Sequence, residues 1–171
     1  MPASGRSRRA WGWHRLADDW AGRVVAAAGV RSGDLVLDLG AGDGALTAHL
    51  VRAGARVVAV ESHPRRADML RERFPGITVV HADATTIPLP GRPFRVVANP
   101  PYAISSVLLR SLLAPRRKLI AADLVLQRAA AHRHAALTVR GYRLAVGLPL
   151  PRRAFQPPSQ VDSAVLVVRR H

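Results

Sequence analysis

The chain has 171 residues, enough for one domain with a real core, and 49% of them are hydrophobic, the balance of a folded globule. It contains no cysteine, which excludes disulfides and thiolate metal sites and agrees with a reducing cytoplasm; no apolar run approaches the ~20 residues of a membrane span, and no signal peptide is evident. Its 26 basic residues, nearly all Arg, stand against 11 acidic ones for a net charge of +15, a field that favours a polyanionic partner such as nucleic acid over a membrane surface, with Arg-biased codon usage as the bland alternative.

Residues 1–13 are basic with no apolar period, and they predict a mobile arm. From 14 to 30 the stripe Leu16, Trp20, Val24 and Ala27 predicts a helix ending at Gly29. Strand, turn and helix then alternate. β-rich runs recur at 35–39, 56–61, 77–82, 94–99 and 119–126, with helix-like segments near 44–53, 64–74, 103–114 and 127–137. Apolar strands separated by helices predict an α/β fold, a mostly parallel sheet covered on both faces. Two last strands, 142–148 and 164–170, are joined by the proline-rich loop 149-PLPRRAFQPPSQVDS-163, long enough to carry function.

In such sheets ligands bind beyond the carboxyl ends of the strands. The first strand runs into 38-DLGAGDG-44, where Gly40, Gly42 and Gly44 allow a sharp turn and close approach to a ligand. The spacing is G-x-G-x-G behind Asp38, distinct from the G-x-G-x-x-G of dinucleotide sites. Glu61 ends the second strand, placed to accept from a ribose diol, and Asp83 ends the third, placed to accept from an adenine amine. Each residue has a plain structural alternative: a turn glycine, a helix-cap acid, a solvated loop acid. In this order they form the pattern of S-adenosylmethionine methyltransferases with a Rossmann-like sheet.

The fourth strand ends at Asn99-Pro100-Pro101-Tyr102. The lone pair of an exocyclic amine is delocalised into its ring, so the amine must be oriented before it can attack a methyl. The Asn99 side-chain carbonyl and the Pro100 backbone carbonyl can accept its two hydrogens, and Tyr102 can stack on the base. No strong general base is needed, because the amine loses its proton late. Catalysis is then mainly positioning by a backbone that the prolines stiffen.

These residues resemble the ribosomal RNA adenine N6-methyltransferases, which comprise the 16S dimethyladenosine transferases and the 23S enzymes of macrolide, lincosamide and streptogramin B resistance. Besides DLGAGDG and NPPY, the resemblance includes 126-LQRAAAHR-133 and 155-FQPPSQVDSAVL-166, and it covers residues 11–170. The arm 6-RSRRAWGWHRL-16 and the chain length look most like the short mycobacterial 23S enzymes, which lack a C-terminal helical domain. The family's Q-N-F-L-type segment aligns with 13-WHRL-16, so the resemblance implies cofactor contacts at His14 and Leu16, then Gly40, Gly42, Glu61, Asp83 and Asn99. It places the target base between Tyr102 and Phe155. His14 stands where the family has Asn, and Ala129 where it has Glu. Affinity for RNA is expected from Arg6, Arg8, Arg9, Trp11 and Trp13, with Arg152 and Arg153 beside Phe155. The cluster 132-HRHAA-136 reads as a solvated helix face, and no metal site is expected. The implied protein is a cytoplasmic monomer that methylates N6 of an adenine in 23S rRNA. Alternatives are a 16S-type or DNA adenine methylase and a relative that binds RNA without transferring methyl.

Overall fold

A computed structural model describes residues 14–171. The elements are α1 (Asp18–Ala28), β1 (Leu35–Leu39), α2 (Ala45–Arg52), β2 (Arg56–Glu61), α3 (Pro64–Arg73), β3 (Thr78–His81), β4 (Phe94–Ala98), α4 (Ser105–Leu112), β5 (Leu119–Gln127), α5 (Arg128–Ala135), β6 (Tyr142–Leu150) and β7 (Ser163–Arg170). Short 3₁₀ turns occupy Tyr102–Ile104 and Arg152–Ala154. All seven strands form one sheet in the order β3-β2-β1-β4-β5-β7-β6. β7 runs antiparallel to both of its neighbours, and the pairs from β3 to β5 are parallel.

The strand order reverses between β1 and β4, and that point opens a crevice at their carboxyl ends. Register makes the crevice useful. Leu37 pairs with Val96, Leu39 with Val60, and Glu61 with His81, so the residues just past β1 and β4 lie abreast of the end of β2. Gly40, Asn99 and Glu61 are thereby brought into one row. Ser163, first residue of β7, pairs with Gln127, last residue of β5, and joins the same edge.

Successive side chains of each buried strand go to opposite faces, which explains the unbroken apolar runs. In β4, Phe94, Val96 and Ala98 pack with Leu108 and Leu112 of α4, while Val97 packs with Trp20 and Val24 of α1 and Leu50 of α2. A smaller cluster of Ala41, Ala59 and Leu70 seats α3. No described helix is long and apolar enough to cross a membrane.

The expected helix 14–30 is corrected at its start. Ala17 has extended backbone (φ −62°, ψ 148°) and its N–H goes to the Ala154 carbonyl at 2.8 Å, so the helix begins only at Asp18. Residues 14–17 instead form a strap along the late loop: Leu16 makes an isolated antiparallel bridge with Phe155, and Gln156 donates its N–H to the Arg15 carbonyl at 2.9 Å. The buried face of α1 is Trp20, Ala21, Val24, Val25 and Ala28; Ala27 is exposed. Leu16 and Phe155 are each 1% exposed and share a core cluster. Truncating a ring so enclosed leaves a cavity whose walls belong to two fixed segments. Phe155→Ala is expected to destabilise the fold by about 3–5 kcal/mol in denaturant unfolding at constant m-value.

Candidate cofactor and base pocket

The glycine loop is bent by its own hydrogen bonds. Gly40 and Ala41 both donate N–H to the Val60 carbonyl, at 2.8 and 3.0 Å, and Gly40 sits at φ +77°. A Cβ on Gly40 would meet the Pro101 Cδ at 3.1 Å, so the loop and the proline pair pack closely enough that only glycine fits without strain. Glu61 is buried at the bottom of this turn. Its Oε1 accepts the Gly42 N–H at 2.9 Å and its Oε2 the His63 N–H at 2.7 Å. Each oxygen keeps a further lone pair for a hydroxyl donor.

Asp83 is exposed, and its Oδ1 takes both the Thr85 N–H (2.8 Å) and the Thr85 hydroxyl (2.7 Å). These hydrogen bonds lower its pKa below the usual carboxylate value and leave Oδ2 without a protein partner among the described residues. A small cavity between the strap and the glycine loop is lined by Arg15, Leu16, Asp38, Gly40, Asp43 and Asn99. Neither Glu61 nor Asp83 lines it.

Asn99 is buried, and its Nδ2 donates to the His14 backbone carbonyl at 2.6 Å. A carbonyl can only accept, so the amide nitrogen must face His14 and the Asn99 Oδ1 must face away, unpaired among the described residues. The His14 ring lies 5.5 Å from the Tyr102 ring, tilted by 31°, and 6.1 Å from Phe155, edge-on at 75°. Burial lowers the His14 pKa and so favours its neutral imidazole. The Tyr102 hydroxyl is tied to the Ser163 Oγ at 2.9 Å, and burial raises its pKa. Pro100 is buried behind it.

The expected residues therefore divide. His14, Leu16, Gly40, Asn99, Pro100 and Tyr102 converge on the crevice. Phe155 does not present a face to it, because the bridge to Leu16 turns its ring into the core. Arg152 and Arg153 are exposed on the 3₁₀ turn before Phe155, with the Arg152 Nε 3.9 Å from Asp162. Arg6, Arg8, Arg9, Trp11 and Trp13 lie outside the described residues. In the histidine cluster His132 is exposed, but His134 is buried and bonds the Ser106 Oγ at 3.3 Å, so the expected solvated face is only partly solvated. Among the described residues no group of three or more His, Asp or Glu is placed to hold a metal.

Asp38 has a larger part than its place ahead of the glycines suggests. It is 1% exposed and accepts the Thr47 hydroxyl at 2.7 Å, which ties β1 to α2. Burial pushes its pKa up to about 7 against the pull of the Thr47 hydrogen bond, and the charges of Glu61 and Asp43 push the same way. In the sequence the pair is an acid and a hydroxyl residue on either side of the glycines, and spacing alone does not reveal that they meet.

The sheet and its crevice define a Rossmann-like methyltransferase domain. More particularly, the model of the family "Ribosomal RNA adenine dimethylase" matches residues 17–171, and the chain belongs to that family. It is 36% identical to the ribosomal RNA small subunit methyltransferase A of Thermosynechococcus vestitus, over 97% of this chain and 71% of that protein. It is 35% identical to the mycinamicin-resistance protein MyrB of Micromonospora griseorubida, over 79% of this chain and 46% of that one. Among solved structures the 23S rRNA methyltransferase ErmE superposes with a TM-score of 0.82 at 31% identity, covering 92% of this chain and 70% of that one. A dimethyladenosine transferase from Plasmodium falciparum gives 0.80 at 26%, covering 92% and 64%. Several other curated relatives are matched over only about 59–63% of their own length.

The raised pKa of Asp38 gives the fold a specific pH dependence. The folded chain holds a proton on Asp38 up to about pH 7, whereas in the unfolded chain the same carboxyl titrates at its ordinary value of 3.8. Stability from this group is therefore greatest below pH 4 and declines as pH rises toward 7, by about 1.4 kcal/mol per unit. Asp38→Asn still accepts from Thr47 and removes that slope. Its melting temperature is expected to gain on the wild type as pH is raised from about 5 to 8, measured by thermal denaturation.

Proposed function

We propose that this chain transfers a methyl group from S-adenosylmethionine to N6 of an adenine in 23S rRNA, in the manner of the macrolide-resistance methyltransferases. The observation that carries the chemistry is the orientation of Asn99, whose amide nitrogen is held by His14 and whose carbonyl is left free over the crevice. The residues present fit the cofactor. Gly40 is a cradle that a side chain would fill, and acids stand at the ends of the second and third strands. Gly40 and Gly42, Leu16, Glu61, Asp83 and Asn99 would hold it, with His14 contributing through the strap. When bound, S-adenosylmethionine supplies an electrophilic methyl on a sulfonium.

The protein's own part is to bind and orient. The Asn99 Oδ1 and the Pro100 carbonyl accept the two amine hydrogens and turn the nitrogen lone pair toward the crevice. Tyr102, steadied by Ser163 and by its Ser105 bond, supports the base face. Extracting an adenine from its stack costs a few kcal/mol, which an aromatic face partly offsets. Arg152 and Arg153, together with the basic residues 1–13, supply phosphate contacts outside the crevice.

Similarity to the 23S rRNA methyltransferase ErmE supports 23S rRNA as the target, and similarity to a mycinamicin-resistance protein supports the link to resistance. The small subunit methyltransferase relatives favour a second reading, in which the adenine lies in 16S rRNA. Mapping labelled methyl groups into both rRNAs, from cells with and without the protein, separates the two. Label in 23S alone is expected, and label confined to 16S would sink the first reading.

Two variants test the chemistry and the binding. Asn99→Ala is expected to lower methyl transfer by at least about a hundredfold while RNA affinity changes little, because the side chain positions the amine and does not anchor the RNA; full turnover would overturn the mechanism. Removing residues 1–13 is expected to weaken RNA binding and to flatten the dependence of log K on log salt, by roughly 0.7 for each phosphate those residues neutralise on single-stranded RNA. An unchanged slope would show that residues 1–13 bind no phosphate.

A further inference from the structure

Arg15 and Asp43 form an ion pair, and both line the small cavity that Gly40 and Asn99 also line. The two residues are anchored separately. Arg15 is fixed through its backbone carbonyl by the Gln156 N–H, as part of the strap. Asp43 is fixed through its carbonyl, which accepts from Arg73 Nη1 at 3.0 Å, as part of the glycine loop. The closest approach of the pair is at the Nε of Arg15, so the two terminal nitrogens of the guanidinium are not the ones nearest Asp43. Arg15 stands where the family's Q-N-F-L pattern has Phe.

We propose that Arg15 and Asp43 are positioning residues that clasp the methionine end of S-adenosylmethionine, a proposal that rests on the cofactor reading above. That end of the cofactor is a zwitterion, with an α-carboxylate and an α-ammonium on one carbon. The terminal nitrogens of Arg15 form a planar fork suited to the carboxylate, and the Asp43 carboxylate takes the ammonium. With side chains 46% and 27% exposed, the protein pair alone is worth little, so rearranging it on binding costs little. The strap and the glycine loop, which line one cavity, then hold the ligand between them.

Calorimetric titration of the full chain with S-adenosylhomocysteine and with 5′-methylthioadenosine, which lacks the amino-acid end, tests this. Arg15→Ala and Asp43→Asn are each expected to weaken S-adenosylhomocysteine about ten- to a hundredfold, the range for hydrogen bonds to charged groups, and to change 5′-methylthioadenosine by less than about twofold. Arg15→Lys, which keeps charge but loses the fork, is expected to fall between. In turnover, KM for S-adenosylmethionine should rise while kcat at saturation holds, since the reacting end is untouched. Unchanged S-adenosylhomocysteine affinity in Arg15→Ala, or equal weakening of both ligands, overturns the clasp and leaves the cofactor reading standing. A wild-type chain that binds neither ligand overturns both.

Discussion

The hydrogen bond from Asn99 to the His14 carbonyl is the constraint on which the site depends. It joins the end of β4 to a strap that precedes the first helix, across 85 residues of sequence. The strap is held in turn by its bridge to Phe155 and by the Ala17 bond to Ala154, so three distant segments are locked around one amide. Because the acceptor is a backbone carbonyl, the direction of the Asn99 carbonyl is set without reference to the side chain at position 14. A buried amide so oriented loses little entropy when a donor arrives, which is the condition for catalysis by positioning.

Charge is distributed against the overall sign. The chain carries +15, yet the crevice gathers Asp38, Asp43 and Glu61, three of its 11 acidic residues, around one glycine loop. Their mutual repulsion is part of why Asp38 holds its proton up to about pH 7. Such a cluster is costly to the fold and is retained where a cationic or hydroxyl-rich ligand offsets it. The basic surface outside and the acidic crevice inside suit a polyanion that docks broadly and a small cofactor, bearing a sulfonium and an ammonium, that binds deep.

Most of the sheet was legible because each strand is a short apolar run bounded by turn residues, and strand positions carry over directly into register. The strap was not. Leu16 falls on a helical period with Trp20 and Val24, and local periodicity cannot see that Phe155, far along the chain, offers it a strand partner. The same blindness applies to Phe155, where the motif suggested a surface for a base and the bridge put a core side chain. The glycine loop and NPPY were readable because their chemistry depends on backbone geometry encoded by Gly and Pro. Asp38, Thr47, Arg15 and Asp43 were not, because each matters through a partner that only folding brings near.

Substitution at position 14 illustrates how these levels interact. The resemblance puts an Asn there, and a His in its place would alter any side-chain contact with the cofactor. In the structure the hydrogen bond to Asn99 at that position is made by the main chain, which any residue supplies. The imidazole is released to another task and lies between Tyr102 and Phe155, where it covers the ring that the bridge has turned inward and leans on the ring that remains open. Flat, and with burial favouring its neutral form, it adds a ring beside the place proposed for the base in a crevice that already holds several carboxyl groups. The exchange is therefore compatible with the site for a physical reason: geometry there is carried by the backbone, and the side chain has only to be planar and uncharged.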